Sequence, residues 1–156
     1  RDRHAAPTRR AAVLAFYGVT ATTEPPADPL YGDVAMQLST DLMMRCPSQW
    51  VAQVQTQAGP SVWSYQLDLN DGAGPPHHSS DLAFVMNPQP AGRTDAQWPR
   101  LLDYWTQFAK TGDPNGAGLA GWPSFGAARR SIEFSTAGPL VRDHMREPVC
   151  RYRDTP

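Results

Sequence analysis

The segment from Val62 to Asp81 constrains the fold more than any other part of the chain. In its first six residues, Val62, Ser64 and Gln66 alternate with Trp63, Tyr65 and Leu67. The run is also rich in side chains that favour β structure, so it predicts a buried strand. The turn-forming sequence Asn70-Asp71-Gly72 ends that strand. A polar loop with two prolines follows and contains the adjacent histidines His77 and His78, before an apolar run. The segment therefore predicts a strand that carries two imidazoles in the loop at its end.

Helices are predicted on both sides of this segment, because apolar residues recur there with a helical period. Helix ends are predicted from capping residues, prolines and glycines, with Thr8, Asp28-Pro29 and either Thr94 or Asp95 at N-termini and Pro47 and Gly112 at C-termini. The predicted helices are residues 11–17; 28–46, where Val34, Leu38, Leu42 and Met43 keep the helical period; 48–57, with Trp50, Val51 and Val54 facing inward; and 95–111, where Trp98, Leu101, Leu102, Trp105, Phe108 and Ala109 share one apolar stripe. A short strand is predicted over 131–135, and the remainder up to Cys150 is predicted to be irregular or a short helix.

Composition limits the kinds of partner that the chain can bind. The 156 residues are long enough for one domain with a core, and the formal net charge of −1 offers no clustered basic face for nucleic acid or a membrane surface. No window approaches the roughly 18 apolar residues of a membrane span. The chain begins at Arg1 without a methionine, which suggests a fragment or a processed chain.

The histidine segment carries a family resemblance. The pattern His78-x-x-Asp81-Leu82-x-Phe84-Val85 resembles the catalytic-histidine segment of the type-B carboxylesterases, a family that includes the cholinesterases. Position 78 fits the family spacing, whereas His77 lies one place too early and occupies a position where the family usually has a small or aliphatic residue. The resemblance implies that His78 is the general base of a Ser–Asp/Glu–His triad, with Asp81 as a supporting acid near the site.

A second motif strengthens the resemblance. The sequence from Tyr104 to Asn115, followed by Trp122-Pro123, resembles the C-terminal signature of the same family, in which an aromatic helix ends in a Thr-Gly-Asp-Pro-Asn turn. These residues have the character of structural rather than catalytic groups. The resemblance extends over roughly residues 10 to 152. It implies that residues 1–156 are the C-terminal segment of a single α/β-hydrolase domain, an α/β fold in which this part supplies the last strands of the central sheet, their covering helices and the catalytic-histidine loop.

Three further residues gain roles from the resemblance. Cys46 and Cys150 occupy positions similar to those of a disulfide pair in cholinesterase-type members, which implies a disulfide and a secreted or periplasmic protein. Two buried free thiols, and with them a cytoplasmic location, are the alternative. Asp41 resembles a family aspartate that orders the region near the site, and the alternative is a plain helix-terminal cap.

The rest of the expected catalytic machinery is not in this sequence. The family presents its serine in a Gly-x-Ser-x-Gly elbow, and Gly59-Pro60-Ser61 lacks the second glycine. We therefore expect the serine, the oxyanion-hole loop and the triad acid to come from an upstream part of the same enzyme, as a separate or nicked chain. The expected reaction is hydrolysis of a small-molecule carboxylic ester through an acyl-serine, without a cofactor. Adjacent histidines do not readily ligate one metal, so no metal is expected.

Two other interpretations remain open at this point. A cholinesterase-like domain used only for adhesion or binding would keep the scaffold and lose the nucleophile, so the upstream sequence would distinguish it. An independent small α+β domain without a site is the third interpretation.

Overall fold

A computed structural model describes residues 9–71 and 74–151, so the predicted cap at Thr8 and the last residue of the Asn70-Asp71-Gly72 turn lie outside the described residues. The chain divides into two compact units. The first unit comprises residues 1–51 and 146–156, and the second comprises residues 52–145. Each unit has its own hydrophobic cluster.

The first unit is helical. Its elements are α1 (Arg9–Phe16), α2 (Val34–Thr40), a π-helical segment (Asp41–Arg45), α3 (Cys46–Gln57, which continues into the second unit) and α6 (Glu147–Cys150). The buried residues of its cluster come from the turn directly after α1, from the start of α3 and from α6: Tyr17, Cys46, Val149 and Cys150. Apolar side chains of α1 and α2 pack around them, so this cluster joins the described helices before residue 51 to α6.

The start and end of the second predicted helix were wrong. Asp33 is the N-cap of α2 and accepts a hydrogen bond from the Met36 N–H at 2.8 Å. Asp28 instead closes a turn, because its Oδ1 accepts the N–H groups of Leu30 and Tyr31. Pro47 does not end the helix either, since it lies in the first turn of α3, where a missing N–H costs least.

The predicted inward face of α3 was also wrong. Trp50, Val51 and Val54 are 52%, 49% and 42% exposed, whereas the small residues Cys46 and Ala52 are buried. Periodicity identifies which apolar residues share a helix face, but it does not tell which face the chain covers.

The second unit contains a three-stranded mixed sheet in the order β1-β2-β3. Its strands are β1 (Tyr65–Leu67), β2 (Ser131–Ser135) and β3 (Gly138–Arg142), with β1 parallel and β3 antiparallel to β2. The bounds of β2 confirm the prediction. β1 is shorter than predicted and half-buried, and β3 lies where an irregular segment or short helix was predicted.

Two helices accompany the sheet in this unit, α4 (Leu82–Met86) and α5 (Leu101–Thr111). The last predicted helix therefore begins at Leu101 rather than at Thr94 or Asp95, and Thr94 N–H instead donates to the Gln97 side chain within a turn. Leu101 of the predicted apolar stripe is buried, and so is Tyr104, which is not on that stripe, whereas Trp105 and Phe108 on the stripe are 48% and 46% exposed. Gly112 ends α5 in the left-handed conformation at φ 76°, as predicted.

The core of the second unit forms around the strand that precedes the histidines. Tyr65 of β1 meets Trp122 edge to face at 5.5 Å between ring centroids, and Trp122 meets Phe134 of β2 at 6.0 Å. The Trp122 indole N–H donates to the Ser64 carbonyl at 3.0 Å, so its one polar group is satisfied. This packing fixes β1 and thereby the start of the histidine loop. Among the described residues, no helix is long and apolar enough to cross a membrane.

Candidate functional site

The two histidines lie in a tight turn that we name the histidine turn, residues His77 to Ser80. The Ser80 N–H donates to the His77 carbonyl at 3.1 Å, which places His78 and Ser79 at the two central positions. Ser79 has φ 71°, a positive angle at the third position of the turn, as in type II turns. A side chain in this left-handed conformation costs roughly 1–2 kcal/mol, so the surroundings must hold the turn in place.

The turn gives its two imidazoles different environments. The Nδ1 atom of His77 lies 2.6 Å from the Oγ atom of Ser80, and that hydroxyl also accepts the His77 N–H at 2.8 Å. His78 is exposed at the corner of the turn, and its ring makes no hydrogen bond with any other described residue. Ring nitrogens of His78 are therefore accessible to a reacting group, whereas one nitrogen of His77 is already engaged.

Asp81 attaches the end of the turn to the strand before it. Its carboxylate accepts the Tyr65 hydroxyl at 2.6 Å, and its carbonyl accepts the Val85 N–H at 2.9 Å at the start of α4. Burial, followed by the hydrogen bond to Asp81, raises the pKa of Tyr65 well above its ordinary value of 10.0, so the phenol remains a donor at neutral pH. Asp81 thus supports the loop through Tyr65.

The other predicted residues belong to the first unit. Cys46 and Cys150 form a disulfide, as the family resemblance implied, and both are buried. Asp41 is fully buried, and its carboxylate binds Tyr17, Arg45 and Arg146 rather than a helix N-terminus. Burial raises the pKa of Tyr17, and the hydrogen bond to Asp41 raises it further.

The structure adds residues that the sequence reasoning did not single out. Ser80 bonds to His77 within the histidine turn, and Tyr65 donates to Asp81 directly after the turn. Arg146 binds Asp41. Only Ser80 carried a usable signal, because a hydroxyl three residues after a histidine can bond back to it within one turn. The described residues contain no group of three or more His, Cys, Asp or Glu side chains suited to a metal ion.

Comparison with known proteins assigns the class. The family model of the carboxylesterase family matches residues 8–153, which include both motifs and both cysteines. The chain therefore belongs to the carboxylesterase family. Membership implies the α/β-hydrolase fold, and the mixed sheet with its helices is consistent with that fold.

Curated relatives agree with this assignment at low identity. The chain is 30% identical to acetylcholinesterase of Gallus gallus over 122 residues, which cover 69% of this chain and 16% of that protein. It is 38% identical to the medium-chain fatty acyl-CoA hydrolase precursor of Anas platyrhynchos over 62 residues, 36% of this chain and 11% of the relative. It is 27% identical to cocaine esterase of Oryctolagus cuniculus over 117 residues, 64% of this chain and 21% of the relative. The chain thus spans only a small part of the length of these relatives.

Proposed function

We propose that this chain supplies the general base of a serine carboxylesterase, and that His78 is that base. The single observation that carries the proposal is the histidine turn, which presents His78 at an exposed corner while Ser80 and Asp81 hold the flanking backbone. Family membership supports the reaction class, since the matched relatives are named for hydrolysis of esters and thioesters.

In this proposal His78 takes the proton of a serine hydroxyl as the serine attacks the ester carbonyl. It then gives that proton to the departing alcohol, and water later releases the acyl group by the same route. A carboxylate at the other ring nitrogen would hold the tautomer. Asp81 is not assigned that role, because its carboxylate already accepts the Tyr65 hydroxyl. It supports the loop instead.

The remaining parts of the site are proposed to come from an upstream segment of the same enzyme. Residues 1–156 would form the C-terminal part of one α/β-hydrolase domain, and the upstream part would carry the Gly-x-Ser-x-Gly serine and the triad Asp or Glu. The small share of each relative that the chain covers supports this arrangement. The disulfide supports a secreted or periplasmic location, and the reaction needs no cofactor.

The test is a burst assay with an activated ester, such as p-nitrophenyl acetate, on the enzyme that contains this chain together with its serine-bearing segment. We expect His78→Ala to lower kcat by about 10⁴-fold and to abolish the acyl-serine burst. His144→Asn is the matched control, because it removes a histidine outside the turn and asparagine tolerates the positive φ of that position. It should leave turnover unchanged.

Three results would overturn the proposal. Full turnover in His78→Ala would remove His78 from the mechanism. A greater loss in His77→Asn than in His78→Ala would move the base to the neighbouring ring. A wild-type enzyme that binds esters without any burst would instead favour a cholinesterase-like binding domain.

A further inference from the structure

We propose that Ser80 is a positioning residue for the catalytic base, acting through the ring and the backbone of His77. This inference depends on the proposed function, because it assigns Ser80 the task of fixing the turn that carries His78. The serine would not touch the substrate. Its effect would be to keep His78 in one orientation relative to the serine that it deprotonates.

The hydrogen bonds between His77 and Ser80 form a closed set. Ser80 N–H donates to the His77 carbonyl at 3.1 Å, and His77 N–H donates to Ser80 Oγ at 2.8 Å. The same Oγ atom lies 2.6 Å from His77 Nδ1. In the ring tautomer that carries its proton on Nε2, the serine hydroxyl donates to Nδ1 while its oxygen accepts the N–H, so both groups are satisfied. We name this set the Ser80–His77 clamp.

Burial makes Ser80 a suitable anchor for the clamp. Ser80 is only 5% exposed, whereas His77, His78 and Ser79 are all exposed. A buried hydroxyl with two partners in fixed positions has little freedom to turn, and losing a partner leaves a polar group without compensation. The exposed histidines are thus tied to the protein interior at Ser80, which is two residues after His78 and three after His77.

The clamp opposes a conformational cost inside the turn. Ser79 lies between His77 and Ser80, the two residues that the clamp joins. It is held at φ 71°, which a serine adopts only at an energetic cost. Asp81 on the far side is held by Tyr65 and by α4. His78 therefore projects from a strained turn fixed at both ends. A displacement of about 1 Å in a reacting group can lower the rate by about a hundredfold, so this fixation matters for catalysis.

The clamp also explains why adjacent histidines have different roles. His77 Nδ1 is occupied by Ser80, and its ring is held against the turn. His78 has no such contact among the described residues. One imidazole is used to fix the turn, and the other is left for proton transfer.

The experiment uses the same enzyme and ester assay, with three variants measured singly and in combination. His77→Phe keeps a ring but removes the acceptor, His77→Asn places an amide oxygen near the position of Nδ1, and Ser80→Ala removes the hydroxyl. We expect Ser80→Ala and His77→Phe each to lower kcat by about tenfold to a hundredfold with KM nearly unchanged, because the substrate-binding surface is untouched. His77→Asn should keep most of the wild-type kcat, in contrast to His77→Phe. The double variant Ser80→Ala/His77→Phe should lose no more than Ser80→Ala alone, since Ser80→Ala already removes the contact with the ring that His77→Phe removes.

The outcomes separate this inference from the proposed function. If His78→Ala is inactive while Ser80→Ala and His77→Phe keep full kcat, the clamp has no catalytic role and the base assignment stands. If His78→Ala keeps its turnover, the proposed function fails. Additive losses in the double variant, or no rescue by His77→Asn, would show that the two residues act separately. If Ser80→Ala does not fold, the two variants at the exposed His77, His77→Phe and His77→Asn, still decide whether the clamp has a catalytic role.

Discussion

The carboxylate of Asp41 accepts hydrogen bonds from the guanidinium of Arg146 at 2.9 and 3.1 Å, although 105 residues separate them in sequence. Asp41 is completely buried, and Arg45 and Tyr17 complete its shell at 2.9 and 2.6 Å. Arg146 reaches it from a residue at φ 54°, immediately before α6. This ion pair joins the helices near the start of the chain to the segment near its end.

Removing Arg146 should lower the free energy of unfolding, because the buried carboxylate of Asp41 then has fewer positive partners. We expect Arg146→Met to lower the free energy of unfolding by about 3 kcal/mol, the lower end of the usual range, since Arg45 still neutralises Asp41. Arg151→Met is the matched control. In its ion pair with the half-buried Glu147 the arginine side chain is 66% exposed, so loss of this pair should cost less than about 1 kcal/mol. Urea unfolding of the three proteins tests the difference, and equal losses would contradict it.

The disulfide joins the same two segments by a covalent bond. Cys46 and Cys150 are 104 residues apart, so the loop between them contains the whole second unit. In the chain-entropy model a loop of that length stabilises the folded state by about 4–5 kcal/mol. We expect the Cys46→Ala/Cys150→Ala variant to unfold at a clearly lower urea concentration than the wild type. Adding reductant should lower the wild-type midpoint and leave the variant unchanged. The wild type should be fully unfolded with reductant so that the disulfide is accessible. An unchanged urea midpoint after this treatment would contradict the stabilising role of the disulfide.

Asn115 connects the end of the aromatic helix to Trp122. Its Oδ1 accepts the Trp122 N–H at 2.7 Å, and its Nδ2 donates to the Trp122 carbonyl at 2.9 Å and to Asp113 at 2.7 Å. Asn115→Asp replaces the donor with an oxygen that faces two acceptors. We expect a loss of about 2–3 kcal/mol in unfolding free energy, with a change in tryptophan fluorescence. Asn87→Asp, whose exposed amide donates to the Ala83 carbonyl, should lose less than about 1 kcal/mol. A larger loss in Asn87→Asp would contradict the role of Asn115.

Local signals in the sequence predicted part of the fold. The strand at 131–135 and the end of α5 at Gly112 were predicted correctly, because β-favouring residues and a left-handed glycine act locally. The faces of α3 and α5 were not, since Trp50 and Trp105 are exposed in this chain although they lie on apolar stripes. The amphipathic period defines a stripe, and tertiary contacts decide whether it is covered.

The candidate site was predictable to a similar extent. The spacing of His78 and Asp81 indicated the base and a supporting acid by resemblance, and the cysteine positions indicated the disulfide that the structure contains. Neither Tyr65 nor Arg146 could be assigned from sequence, because their partners lie 16 and 105 residues away and depend on the folded arrangement. The catalytic role of His78 stays a prediction.

Alkaline pH should weaken the packing between α5 and its neighbours through Tyr104. This residue is 2% exposed and donates its hydroxyl to the Ala120 carbonyl at 2.8 Å. Burial, together with the negative charge of Asp95, raises the pKa of Tyr104 from 10.0 to about 12. Because the folded state holds this proton more tightly than the unfolded state, its contribution to stability is complete below pH 10 and falls as the pH rises toward 12.

Comparison with Tyr104→Phe isolates this contribution, because the other tyrosines with raised pKa values, Tyr17 and Tyr65, are present in both proteins. At pH 9 the variant should be less stable in urea, since the half-buried Ala120 carbonyl loses its hydroxyl donor. Between pH 10 and 12 the wild type should lose stability faster than the variant, so that the difference between them narrows. A difference that stays constant over this range would mean that the Tyr104 phenol ionises equally readily in the folded and unfolded states, and the inferred effect of its burial would be wrong.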